Sequence, residues 1–396
     1  MRYLVAPTAY KGTLSPTQAA QVIAANLDGE VDLCPIADGG TGWLEVWAYH
    51  FPDAQRHAME AHDALLQPRR VEWLHLPSGA AVIESAQAIG LHLLARESLA
   101  PLQASSHGVG EMLRAAATHP DTRALWLGLG GVATTDAGAG ALHALGFRLL
   151  DASGNRIFED DPLLQVPPAL RGNQGMVPLA KRGEPQGGGT SDIASRLLVL
   201  HTIEPPPTDP LHGKSLTLCS DVQNTLLDAA RVYAPQKGAT PEQVAALVRA
   251  LERFAEVALR DTGIDLTTVV GAGAAGGLAG GLHAYTRAPI VSGVMWLLRH
   301  VDWQARLHAA DCLITGEGQV DAQTLMGKGV GVLIQQAVAL GKPVVVLAGR
   351  TGAGWEPLAH LPGVQVYACA ELAPDLPPEE ALAQTTREAL RRDATV

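Results

Sequence analysis

The stretch Ala124-Leu125-Trp126-Leu127-Gly128-Leu129-Gly130-Gly131-Val132-Ala133-Thr134-Thr135-Asp136-Ala137-Gly138-Ala139-Gly140 decides the fold class. Residues 124–127 are apolar and short enough for one strand, and 141–150 continue with a helical pattern. Between them, five glycines let the backbone turn tightly and aim successive N–H groups at an anion such as phosphate. Asp136 stands among those glycines. A carboxylate beside a phosphate either shares Mg2+ with it or takes a proton from an attacking hydroxyl. The alternative is a turn that is structural only.

The same strand, turn and helix logic recurs along the chain. Residues 3–6 read as a strand and 16–27 as the helix that follows, with Ser15 as N-cap, Pro16 in the first position and Gln18 closing a capping box. Thr240, Pro241 and Gln243 repeat that signature before a helix over 244–260. Towards the C-terminus, 312–315, 330–340 and 343–348 read as strand, helix and strand. Such alternation predicts an α/β chain with much parallel sheet. Residues 172–210, rich in Gly, Pro and polar side chains, read as a mostly irregular excursion.

A length of 396 residues exceeds one ordinary core and fits two domains. A content of 47% hydrophobic and 17% charged residues describes a globular chain. The net charge of −11 argues against a nucleic-acid partner, yet allows phosphorylated small ligands that need only local positive charge. Cys34, Cys219, Cys312 and Cys369 lie far apart without a Cys-x-x-Cys pair and read as small buried residues. The N-terminus lacks a signal peptide's apolar region, and residues 268–284 hold six glycines and His283, a poor membrane span. A cytoplasmic location is expected.

Charged residues cluster where turns precede helices. Lys11, in Tyr10-Lys11-Gly12, and Lys237, in Gln236-Lys237-Gly238, each stand just before a capped helix and are candidates to hold a phosphate or carboxylate. Lys328, in Gly327-Lys328-Gly329, is a third. Besides Asp136, four acids share turn or Gly-rich settings: Asp38, Asp221, Glu317 and Asp321, with the last two placed just beyond a strand. They are candidate metal ligands or bases, since ligands bind at the carboxyl ends of parallel strands. Gly39, Gly40, Gly130, Gly131, Thr134 and Gly273 are candidates for substrate or phosphate contact.

Residues 271–276 match G-x-G-x-x-G, with 266–270 as a candidate strand before them, but the acid expected for a ribose is absent from 291–296. With Gly277, Gly280 and Gly281 added, this region reads as close helix packing or a turn that hugs a ligand. No G-x-x-x-x-G-K-[ST] sequence occurs, and His107 reads as structural.

Together, residues 6–14, 35–42, 81–90, 128–140, 219–224, 235–241, 271–277 and 315–328 resemble, in order, the bacterial glycerate kinase family of the glycerate 2-kinase type that lacks a P-loop. The resemblance implies MgATP-dependent phosphorylation of D-glycerate, with ATP and Mg2+ as cofactors. The implied fold has two α/β domains with an active-site cleft between them. One is a discontinuous parallel-sheet domain of flavodoxin or Rossmann-like type, 1–65 plus 285–396, and the other, 66–284, is inserted.

On this reading Lys11, Asp136 and Lys237 are the candidate catalytic groups, with Asp136 a candidate base, and Asp38, Asp221, Glu317 and Asp321 are the candidate metal ligands; which carboxylate takes which role stays open. The family's usual Asp-Ser-Phe-Lys-Gly is here Thr8-Ala9-Tyr10-Lys11-Gly12, and Gly-Gly-Glu-Gly-Thr is Gly39-Gly40-Thr41-Gly42-Trp43. Thr-Asn-Asp-Gly-Gly becomes Thr134-Thr135-Asp136-Ala137-Gly138, and Arg-Ile-Asp-Ser-Gln becomes Gln319-Val320-Asp321-Ala322-Gln323. Three other readings stay open: a kinase of another small hydroxy acid, a nicotinamide-dependent dehydrogenase, and a catalytically silent relative. The 2- versus 3-phosphoglycerate product and a homodimer are also open.

Overall fold

A computed structural model of the chain describes residues 1–10, 12–158, 192–324 and 329–393. Lys11, Lys328 and residues 172–191 of the expected excursion lie outside the described residues. The chain divides into two compact units, Met1–Pro52 with Ser292–Val396, and Asp53–Val291. The sequence placed those divisions near 65 and 285. The strand Gln55–His62 pairs with Pro68–His75 and so goes with the second unit.

The first unit holds a five-stranded sheet in the order Val364–Ala368, Val344–Thr351, Cys312–Val320, Arg2–Pro7 and Glu30–Leu33. Every neighbouring pair is parallel. The first five residues of Val344–Thr351 are all buried, as a β-branched run should be in a sheet covered on both faces. Helix Pro16–Ala24 buries Ala19, Ala20 and Ile23 on one side of this sheet. It starts as read, with Ser15 Oγ accepting from the Gln18 N–H and the Gln18 side chain answering the Ser15 N–H. Because all five strands point one way, the turns after residues 7, 33, 320 and 351 leave from one edge of the sheet.

The second unit holds a six-stranded sheet in the order Ile290–Val291, Ser215–Cys219, Ala124–Gly128, Ala80–Glu84, Pro68–His75 and Gln55–His62. The first four strands are parallel, and the last two add an antiparallel hairpin at the edge. The turns after Glu84, Gly128 and Cys219 therefore share one edge as well. Helix Pro241–Thr262 is capped by the Thr240 and Gln243 box and buries a stripe through Leu247, Leu251, Phe254 and Ala258.

Two expectations are corrected here, and a third gains detail. The helix after the Gly-rich turn covers only Ala139–Ala144, because Gly146, at φ +96°, ends it, and Arg148–Leu150 turns into a strand paired with Thr202–Glu204. Within the stretch read as mostly irregular, the described residues include helix Ile193–Leu198 and that partner strand. Residues 266–270 are turns and no strand precedes 271–276, which removes the structural context of a dinucleotide fold.

The glycines at 271–281 instead serve close packing, one of the two readings given to them. Gly276 has φ +69°, its carbonyl accepts from the Ala137 N–H at 3.1 Å, and a Cβ there would lie 1.9 Å from the Thr134 carbonyl oxygen. Gly276→Ala should lower unfolding stability by about 2–4 kcal/mol, from overpacking plus left-handed strain. Urea unfolding measures this, and an unchanged midpoint would contradict the packing described.

Candidate functional site

The Gly-rich turn is organised around one buried carboxylate. Asp136 is fully buried, and its Oδ2 accepts from the Ser106 N–H at 2.9 Å, the Ser106 hydroxyl at 2.8 Å and the Gly140 N–H at 3.1 Å. Its Oδ1 accepts from the Gly138 N–H at 3.2 Å. The Ser106 oxygen in turn accepts from the Ala141 N–H at 3.0 Å, tying the start of helix His107–Thr118 to that of Ala139–Ala144. Burial raises the Asp136 pKa, and these hydrogen bonds pull it back towards the carboxylate.

Lys237 meets the same loop. It is 4% exposed, and its Nζ donates to the Thr134 carbonyl at 2.5 Å and to Thr135 Oγ1 at 3.3 Å. Burial lowers its pKa to about 8, against an opposing attraction to Asp136. The structure thus brings Thr134, Asp136 and Lys237 together. Asp136 is 0% exposed, and both of its oxygens face donors of the loop and of the helix that starts at His107.

The other expected residues fall as follows. Gly130 is half-buried, and Gly131 is exposed at φ +63° with its carbonyl accepting from the Leu91 N–H. The Gly273 N–H donates to the Asn224 carbonyl at 3.0 Å, and a Cβ there would lie 2.3 Å from the Thr225 carbonyl. Gly273 therefore packs against backbone. Asp221 is half-buried in the turn after Ser215–Cys219.

In the first unit, Asp38 is exposed in the turn that follows Glu30–Leu33, and its Oδ1 accepts from the Gly40 N–H at 2.9 Å; Gly39 is buried. Glu317 lies on the strand Cys312–Val320, not beyond it, since Gly316 and Gly318 extend the strand instead of ending it. The Thr324 hydroxyl donates to Glu317 Oε1 at 2.9 Å and accepts from the Asp321 N–H at 3.2 Å, so it joins the two acids. Asp321 further accepts from Gln319 Nε2 and from the Gln323 N–H, both at 2.8 Å.

The family profile described as the glycerate kinase family matches residues 3–166 and 175–395. The chain belongs to the glycerate kinase family. The glycerate kinase of Halalkalibacterium halodurans is 33% identical over 366 residues, 89% of this chain and 86% of that one. The glycerate 2-kinase of Escherichia coli K12 is 32% identical over 359 residues, 88% of this chain and 85% of that one. A crystal structure described as glycerate kinase 2 from Salmonella typhimurium LT2 aligns with a TM-score of 0.73 at 28% identity, covering 100% of this chain and 98% of that one.

Two departures of this kinase from the family pattern have local explanations. Tyr10, in place of the usual Phe, buries its ring and donates its hydroxyl to the Leu347 carbonyl at 2.6 Å. Burial holds its pKa well above the ordinary value, so this donor stays protonated. Gln319, in place of an Arg, accepts from Arg350 Nε at 2.8 Å, so a guanidinium from the neighbouring strand stands beside the position where charge was lost. Sequence reasoning missed both Arg350 and Ser106, because each acts through a partner 30 or more residues away. Among the described residues, all four cysteines are buried, as read, and none forms a disulfide, and no helix is long and apolar enough to cross a membrane.

Asp136→Asn should destabilise the protein by about 3 kcal/mol, because an amide offers one acceptor oxygen to a site built from donors and leaves Lys237 with less compensation. Denaturant unfolding gives the value, and a double variant with Lys237→Met should lose less than the sum of the single losses.

Proposed function

We propose that this kinase transfers the γ-phosphoryl group of ATP, as its Mg2+ complex, to the 2-hydroxyl of D-glycerate, giving 2-phosphoglycerate. What carries the reading is the 128–140 turn: a glycine-rich loop at the carboxyl end of a parallel strand, fixed from behind by Asp136 and backed by the buried cation Lys237. The name of the E. coli relative supports the 2-phosphate as product.

The residues fit the absent groups by their chemistry. Thr134 Oγ1 is buried without a hydrogen-bond partner among the described residues, a hydroxyl left over in the loop proposed to meet an anion. Asp38, Glu317, Asp321 and Asp221 offer only oxygen, the donor that Mg2+ selects. In this proposal Asp38, Glu317 and Asp321 in the first unit, and Asp221 in the second, are the candidate ligands that each unit offers to the ion, which would supply charge neutralisation at the phosphates. Gly130 and Gly131 in the second unit, and Gly39 and Gly40 in the first, are each candidates to present backbone to phosphate or carboxylate, and Lys11 and Lys328 would add positive charge.

Phosphoryl transfer asks a protein chiefly for positioning and electrostatics. Lys237 would act through the loop: with water excluded around it, its charge is weakly screened at an anion seated on the loop's outer side. A cytoplasmic location accords with this soluble-substrate chemistry.

ADP release from MgATP with D-glycerate, with the product identified by phosphorus NMR, tests the proposal. A 2-phosphoglycerate resonance is expected, and glycerate-independent or absent turnover would refute it. The Lys237 charge is present below a pKa of about 8 and lost above it. Activity should therefore fall as pH rises through about 8, Lys237→Arg should carry that fall to higher pH, and Lys237→Met should lose roughly 100-fold in kcat/KM. An unchanged pH profile in Lys237→Arg would remove Lys237 from the mechanism.

A further inference from the structure

Next to the Gly-rich turn, the second unit brings together two imidazoles and a carboxylate to which the proposed kinase reaction gives no role. His62 ends the edge strand Gln55–His62, and His107 opens the helix His107–Thr118 with Glu111 one turn later on the same face. Glu111 Oε2 accepts from the His62 N–H at 2.8 Å. Its Oε1 lies 2.9 Å from His62 Nδ1 and 3.7 Å from His107 Nε2. One ligand atom from each residue falls within 4.8 Å of the other two.

The cluster is enclosed: side-chain exposures are 14% for His62, 10% for His107 and 5% for Glu111. Gly108 makes the approach of strand to helix feasible, since a Cβ there would lie 1.9 Å from the His62 carbonyl oxygen. Burial alone would push Glu111 up, but the His62 hydrogen bond and the two imidazoles hold it below the ordinary range, so it is a carboxylate at neutral pH.

We propose that His62 Nδ1, His107 Nε2 and Glu111 Oε1 form a binding site for a divalent transition-metal ion, with Zn2+ as the fitting ion. Two imidazole nitrogens with one carboxylate oxygen suit Zn2+, whereas Mg2+ and Ca2+ select oxygen. Ligands at zinc's usual bond lengths stand roughly 3.3 Å apart in a tetrahedral site. The two imidazole-to-carboxylate spacings, 2.9 and 3.7 Å, bracket that value and all three ligand atoms lie within 4.8 Å of one another, so side-chain movements of about an ångström would admit the ion. Glu111 Oε2, held by the His62 backbone, orients the carboxylate and leaves Oε1 to the metal. On binding, His62 takes the tautomer with its proton on Nε2, which frees Nδ1 for the metal with no net loss of a proton, and solvent fills the fourth position. The ion would pin the edge strand to the helix whose preceding residue, Ser106, holds Asp136.

The test is calorimetric titration of the chelator-stripped, folded full-length protein with Zn2+, with Mg2+ as comparison, followed by the thermal midpoint. One Zn2+ per chain and a raised midpoint are expected. His107→Ala and Glu111→Gln should each weaken binding by more than the roughly 10–100-fold that loss of an outer partner costs. His75→Ala removes a histidine of a separate ring cluster with His57 and His119, and should leave binding intact. Zinc X-ray absorption on the unaltered protein gives a readout independent of any variant's folding: two imidazoles and oxygen ligands at about 2.0–2.2 Å are expected. No saturable Zn2+ binding, a first shell without two imidazoles, or equal affinity in His107→Ala and Glu111→Gln would overturn the site.

Discussion

The burial of the Asp136 carboxylate is the constraint on which the second unit depends. Taking such a charge out of water costs several kcal/mol unless hydrogen bonds and an opposite charge replace the lost solvent. Here the replacement is local and complete enough to dictate structure: Ser106 supplies two donors, Gly138 and Gly140 one each, and Lys237 attracts from the far side of the loop. Each donor is the end of an element. Two helices must start where their N–H groups reach one carboxylate, and the 271–277 turn must fit against Thr134 without side chains in the way. A Gly-rich loop that would otherwise be soft is thereby given one conformation.

A second constraint is direction. Parallel strands deliver all their following turns to the same edge, so a sheet that buries Val344-Val345-Val346-Leu347-Ala348 for stability also gathers the turns bearing Asp38 and Asp321. In the other unit, the same rule gathers the 128–140 and 219–224 turns. Packing thus explains why candidate acids so far apart in sequence share an edge within each unit, with no need for local attraction among them.

The legible parts of the sequence were those written in local chemistry. Ser15 with Gln18 and Thr240 with Gln243 close their boxes within four residues, so their helices could be placed from the sequence. The parallel-sheet class followed from short apolar runs between helical patterns. What stayed hidden depended on distant partners. Arg148–Leu150 looks helical until Thr202–Glu204 is known to pair with it. Gly316-Glu317-Gly318 looks like a turn, yet it remains in the sheet because Gly316 and Glu317 pair with Leu347 and Ala348. Asp136 is legible as the one carboxylate of the loop, but its burial is not, because Ser106, which supplies two of its donors, lies 30 positions before it.

The departures from the family pattern fit the same physics. Ala137 replaces a usual glycine at φ +52°, where a side chain costs about 1–2 kcal/mol relative to glycine. That methyl is fully buried, which returns part of the cost, and the Ala137 N–H keeps its bond to the Gly276 carbonyl. At position 10 the ring remains in the core, and the added hydroxyl finds a carbonyl. At position 319 a charge is lost, and Arg350 stands within hydrogen-bond reach on the next strand. In each case the backbone path and the local balance of charge are retained while the side chain changes. Such changes leave the backbone path in place, in keeping with a fold that aligns over the whole chain with a solved glycerate kinase 2 structure at 28% identity.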